Sequence, residues 1–408
     1  MDGTASGKHG PLRGLKVVEL AHIMAGPVCG LMLADMGAAV IKVEKIDGGD
    51  DTRRSVPPAI EGESAAYMMM NRGKRGIALD LKSADGKAIL RRLLADADVL
   101  IENYRAGTME RLGLGYDTLK HEFPQLIYCA LSGFGRTGPY AERPGFDLVA
   151  QGMSGLMSVT GEGPGGAPMK SGAPVTDITA GLVAAMGVLA AYVHRMKTGE
   201  GQAVDTSLFE AGITLTYWQS AIAMATGIAP GPMGSAHPLN APYEAFATAD
   251  GWITVGAANQ TNWLRLLAVL GAEDLAADPR FTRNDDRLVN RAALAERLGP
   301  HFRSAPSEEW LARLEAGGVP AGPVLDVLAM HRDPQALARD MVVEVDHTRI
   351  GAMQTLGLPV KFSQTPGRVH GPAPLLGEHT RSILGEVGYD AAEIDGFFAR
   401  GVVRETLA

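Results

Sequence analysis

Asp177 stands in the run Thr176-Asp177-Ile178-Thr179-Ala180-Gly181, after a glycine-rich stretch at 161–172 and at the head of a long apolar segment. A carboxylate in that place has two uses. As an N-cap it would accept hydrogen bonds from the unpaired amides of the first helical turn. As a nucleophile it would sit among mobile glycines, with backbone amides at hand for the oxyanion that forms on an attacked acyl group. The helix N-terminus would favour its ionised form. Spacing alone leaves both uses open.

A second set of residues could bind anions. Lys45 and Arg53 follow the run 40–44, Lys82 follows 77–81, and Asn103, Tyr104, Arg105 and Arg111 follow 99–102. If these runs are strands of one open parallel sheet, the residues beyond their carboxyl ends share the edge where ligands bind. Lys and Arg there would meet phosphate oxygens, and Tyr offers a face to a purine. Taken singly, each is equally a solvated loop charge. Gly26 and Pro27, after the first run, suit close backbone approach and the first turn of a helix. His22 just before them reads either as a ligand contact or as a buried, satisfied histidine.

Other chemistries lack their residues. Gly113-Leu114-Gly115 has no third glycine, so a dinucleotide fingerprint is absent. The ten histidines are scattered without metal-ligand spacing, and metal binding is not expected. Ser132-Gly133-Phe134-Gly135 reads as a tight turn rather than a nucleophile elbow.

Short β-branched runs at 16–20, 39–44, 76–81, 98–102, 126–131 and 202–208 alternate with helical patterns. That alternation predicts an α/β domain with a doubly wound parallel sheet. A Gly/Pro-rich link at 227–238 opens a second, smaller α+β domain. The expected division is a disordered leader over 1–13, a large domain over 14–226, a small domain over 227–325, and a segment over 326–408 that returns to the large domain. The apolar stretch at 178–193 is short for a bilayer and begins beside Asp177, so it is expected to be a helix packed on all sides, with no membrane span.

The net charge is -8 over 408 residues, which argues against a nucleic-acid surface. Two cysteines, Cys29 and Cys129, are too few for a disulfide framework, so a reducing, cytoplasmic setting is expected.

The segments 20–27, 33–44, 71–75, 143–147, 197–202 and 374–380 together resemble, in order and over nearly the whole chain, the family III CoA-transferases of the formyl-CoA and carnitine type. The resemblance implies a Rossmann-like large domain and an interlocked homodimer. It implies acyl-CoA and a small carboxylic acid as substrates, with no tightly bound cofactor. Asp177 falls on the family's nucleophile and Asp147 on an acidic position near the thioester. His22, Ala25, Lys45, Leu79, Lys82, Asn103, Tyr104, Arg111 and Arg143 fall at positions that bind coenzyme A. The implied course runs through an aspartyl-acyl anhydride and an aspartyl-CoA thioester. The related α-methylacyl-CoA racemases use the equivalent aspartate as a base, but have His where this chain has Phe146, and phenylalanine cannot carry a proton. A CoA-binding protein without catalysis is the remaining alternative.

Overall fold

The computed structural model describes residues 10–406, in two units: one takes in the chain up to Leu156, Lys170–Trp218 and the chain from Pro334 on, the other Met157–Met169 and Gln219–Asp333. Residues 1–9 of the expected leader lie outside the described residues. Residues 10–13 do not behave as a disordered leader: the Leu12 amide bonds the Met36 carbonyl at 3.0 Å, and its side chain packs on the core.

The first unit is built on seven strands: β1 (Lys16–Glu19), β2 (Ala39–Glu44), β3 (Arg75–Leu79), β4 (Val99–Glu102), β5 (Ile127–Ser132), β6 (Ala203–Ser207) and β7 (Val403–Arg404). Their order is β7-β3-β2-β1-β4-β5-β6. The first six are parallel; β7 alone runs antiparallel, pairing Val403 with Leu79. Order 3-2-1-4-5-6 is that of a doubly wound sheet, with a crevice where the winding reverses between β1 and β4.

Alternation along each strand feeds two cores. Val17, Val99, Ile101 and Cys129 point to one, Val18, Leu100 and Tyr128 to the other. Helices α1 (Ala25–Asp35) and α4 (Val175–Thr198) cover the first core; α2 (Ala84–Ala95) and the C-terminal helices Thr380–Glu386 and Ala391–Ala399 cover the second. A short helix, α3 (Asp147–Met153), precedes α4.

α4 lies against α1 through small residues. A Cβ on Gly181 would come within 2.6 Å of the Ala25 carbonyl oxygen and 2.7 Å of Val28, so glycine sets the approach. Ala184, Ala185, Val188 and Ala191 continue that buried face. The opposite face is bare: Leu182, Met186, Val193 and Met196 are exposed. The expectation of a helix packed on all sides is therefore corrected, because the unit supplies a partner for one face only. Among the described residues this is the one helix long and apolar enough to cross a membrane.

In the second unit the antiparallel strands Tyr243–Ala247, Trp252–Gly256 and Ala321–Pro323 carry the helices Gln260–Leu270, Arg291–Phe302 and Ser307–Ala316. Trp263, Phe302 and Trp310 fill its core, with Phe246 and Phe302 stacked at 4.5 Å. Its limits differ from the expected 227–325. The helix Tyr217–Thr226 buries no residue in the large domain's core. Met157–Met169 joins this unit, where the Gly234 amide bonds the Gly161 carbonyl at 2.9 Å.

Candidate active site

The loops after β1, β4 and β5 and the first turn of α4 enclose a cavity of about 290 Å³ within the first unit. The β1–α1 loop is fixed from two sides. The Asn103 side chain accepts from the His22 amide at 2.9 Å and donates to the His22 carbonyl at 2.7 Å. Ile23 is held at φ 69°, a left-handed conformation that a β-branched residue adopts only where its surroundings impose it. Its amide donates to Asp50 Oδ1 at 3.0 Å.

Asp50 belongs to a buried charge network beneath this loop. Lys42 Nζ lies 2.9 Å from Asp50, 3.0 Å from Glu19 and 2.8 Å from the Ala21 carbonyl. Lys74 Nζ shares Glu19 at 2.8 Å and bonds the Pro27 carbonyl at 2.9 Å. Burial alone would raise the Asp50 carboxyl, yet Lys42 and the amides of Ile23 and Thr52 hold it below the carboxylate range. Burial brings the Lys74 ammonium down to about 8, against the pull of Glu19. Nothing in the sequence signals this network.

His22, Ala25, Asn103, Tyr104 and Arg143 all line the same cavity as Asp177. The rings of His22 and Tyr104 stand 5.7 Å apart. Burial pushes the Tyr104 hydroxyl up to about 12 and the His22 imidazole down, Asp50 and Asp51 opposing the latter. Lys45 opens on an adjoining cavity of about 70 Å³ that His22 and Tyr104 also line, and its ammonium lies 2.7 Å from Asp51.

Three residues stand apart from both cavities. The Leu79 side chain is 1% exposed in the core, so only its main chain could face a ligand. Lys82 and Arg111 are exposed on the segments after β3 and β4, Arg111 donating to Thr108 Oγ1 at 3.0 Å. Arg53, expected on the basic rim, is corrected to a structural role. Its guanidinium makes two bonds to Glu44, at 2.7 and 2.8 Å, and covers the Tyr67 ring at 3.6 Å.

Asp147, the first residue of α3, takes up the start of α4. Its Oδ1 accepts from the Thr176 amide at 3.0 Å and the Thr176 hydroxyl at 2.7 Å, and its Oδ2 from Gln151 at 2.7 Å. The cap of α4 is thus Asp147. Asp177, third in the helix, has a carboxylate with no hydrogen bond or ion pair to any described residue, so capping is not its work. Burial, and then the Asp147 charge, push the Asp177 carboxyl up to about 7. The expected preference of the helix N-terminus for the ionised form is outweighed.

Two glycines bring the surrounding loops together. A Cβ on Gly133 would lie 2.6 Å from the Gly145 Cα, and one on Gly145 would lie 2.5 Å from the Gly133 Cα. The loop that carries Arg143 and Phe146 is thereby seated on the end of β5. Phe146 lines the cavity and is 62% exposed.

A carboxylate without partners, partly desolvated and walled by strand-end loops, is equipped to attack an acyl carbon. The family description of CoA-transferase family III matches residues 12–380. A succinate–glutarate CoA-transferase of Agrobacterium fabrum is 42% identical over 92% of this chain and 96% of its own length. The human succinyl-CoA:glutarate CoA-transferase is 36% identical over 96% of this chain and 90% of its own. A crystal structure of a CaiB/BaiF family protein from Brucella suis superposes with a TM-score of 0.84 at 41% identity, covering 93% of this chain and all of that one. The chain belongs to CoA-transferase family III and is an acyl-CoA:carboxylate CoA-transferase.

Proposed function

We propose that the protein moves coenzyme A between dicarboxylic acids, with Asp177 as the covalent carrier. The observation that supports this is the Asp177 carboxylate itself, in the cavity wall and unpaired while Asp147 does the capping. An Asp177 oxygen attacks the donor's thioester carbon; the C–S bond breaks and CoA thiolate leaves, giving a mixed anhydride. The thiolate then attacks the Asp177 carbonyl carbon, the donor departs as its carboxylate, and an aspartyl-CoA thioester remains. An acceptor carboxylate repeats the sequence in reverse and frees Asp177. His22, Ala25, Asn103 and Tyr104, with Lys45 behind them, frame the thioester end of coenzyme A, and Lys82 and Arg111 meet its phosphates. Succinate and glutarate, the acids in the relatives' names, set the expected substrate class.

The working unit in this proposal is an interlocked homodimer. The bare face of α4 and the exposed Phe146, Leu148, Val149 and Met153 of the neighbouring segment form the kind of apolar surface that a second subunit covers. The test of the chemistry is trapping. Incubation with succinyl-CoA followed by hydroxylamine should leave a hydroxamate on the peptide containing Asp177. No adduct there, with transfer intact, sinks the covalent route.

A further inference from the structure

We infer that Arg143 recognises the second carboxylate of a dicarboxylic substrate while the first reacts at Asp177. The inference rests on the transferase reading above and moves Arg143, which the resemblance put among the coenzyme A contacts, to the far carboxylate of the acid as a specificity-determining residue. Arg143 and Asp177 line one cavity. The Arg143 guanidinium lies 4.0 Å over the Tyr140 ring, and Tyr140 meets Phe134 edge-on at 5.8 Å. Phe134 is itself buried. The Arg143 amide bonds the Tyr140 carbonyl at 2.9 Å, and Gly145 sits on Gly133 just beyond.

The Tyr140 ring braces the guanidinium and leaves its N–H donors uncommitted. Among the described residues that guanidinium has no hydrogen bond or ion pair. Other arginines near the sheet edge are spent: Arg53 on Glu44 and Arg136 on Glu102. Arg105 lines the same cavity, but no ring of a described residue braces it.

A planar, pre-oriented, unpaired fork is matched by a carboxylate, which it binds through two parallel bonds. Arg143 is exposed, so a monocarboxylic acyl chain leaves its guanidinium in water, whereas a diacid engages both it and Asp177. A site that holds a substrate group by such a bond favours it over the analogue that lacks the group.

The experiment compares Arg143→Gln and Arg143→Lys with wild type, using succinyl-CoA and glutarate for transfer and free CoA for calorimetry. The expected result is a fall of about 10- to 100-fold in kcat/KM for glutarate, carried by KM, with CoA affinity unchanged within about twofold. Arg143→Lys keeps charge without the fork and falls between. Unchanged glutarate kinetics overturn the inference. So does a loss of CoA affinity in step with the loss of glutarate, which would place Arg143 on a CoA phosphate. The transferase reading is checked separately by Asp177→Ala: glutarate transfer that survives in that variant defeats the reading itself.

Discussion

Asp147 holds the amide and hydroxyl of Thr176, and by doing so releases Asp177, the next residue, from the duty its position in the helix would otherwise give it. The two carboxylates divide one helix start between them: one is tied down, the other is left for chemistry. The tied one also acts on the free one through its charge.

The first expectation concerns rate. An ionised Asp177 is required for attack, and its carboxyl is held at about 7. The kcat/KM profile should therefore rise with pH through about 7 and level off above. Asp147→Asn, which keeps an acceptor for Thr176 but removes the charge, should move that limb to lower pH, while burial keeps it above the ordinary carboxylate range. A limb that stays in place in Asp147→Asn argues against electrostatic coupling of the pair.

Stability should follow the opposite slope. The folded-state value of Asp177 lies above its unfolded value, so the protonated form favours folding, and that contribution is lost as pH rises through 7. Asp177→Asn never ionises. It should match wild type near about pH 4 and exceed it at about pH 8, by up to roughly 4 kcal/mol, in denaturant titrations. Equal stability of the two proteins at both pH values would mean that Asp177 is solvated in the folded protein.

Asn103 is expected to act by holding the β1–α1 loop. Asn103→Ala removes both bonds to His22, at a cost of about 1 to 3 kcal/mol, and frees Ile23 from half of what imposes its left-handed backbone. Transfer should fall more steeply than stability. Asn103→Asp, able to accept from the His22 amide but not to donate to its carbonyl, should recover part of the loss.

Lys42→Met should be severe in another way. It leaves Glu19 and Asp50 as buried charges short of a partner, which costs about 3 to 5 kcal/mol. Thermal unfolding and far-UV circular dichroism would register it, and a variant as stable as wild type would contradict the network.

A homodimer is expected in solution. Sedimentation should give a dimer at micromolar concentration, and Met186→Glu, on the bare face of α4, should weaken it. A compact, stable monomer of the wild type would remove the dimer from the proposal.

The parallel strands were legible because β-branched runs of four to six residues carry their own pattern, and Asp177 was legible as a place where chemistry could occur. Its use was not. The residue that decides it, Asp147, lies 30 positions earlier, and nothing local says that Asp147 will reach Thr176. Glu19, Lys42 and Lys74 escaped for a related reason: charged residues on strands and turns are ordinarily read as solvated, and their mutual neutralisation appears only when β1, β2 and the turn before β3 are side by side. Arg53 misled in the other direction, since its partner Glu44 ends the preceding strand. β7 has two residues and no pattern to find.

The pairing of β7 with β3 has a consequence for how the chain is made. Arg404 meets Ala78, 326 residues upstream. At a ribosomal rate of roughly 5 to 20 residues per second, β3 waits about 15 s to a minute after leaving the exit tunnel with one row of amides and carbonyls unsatisfied. During that interval the nascent sheet is a template for any extended segment nearby, including the same strand on a neighbouring ribosome of the polysome. A chain truncated ahead of residue 403 would leave that edge without its β7 partner for good.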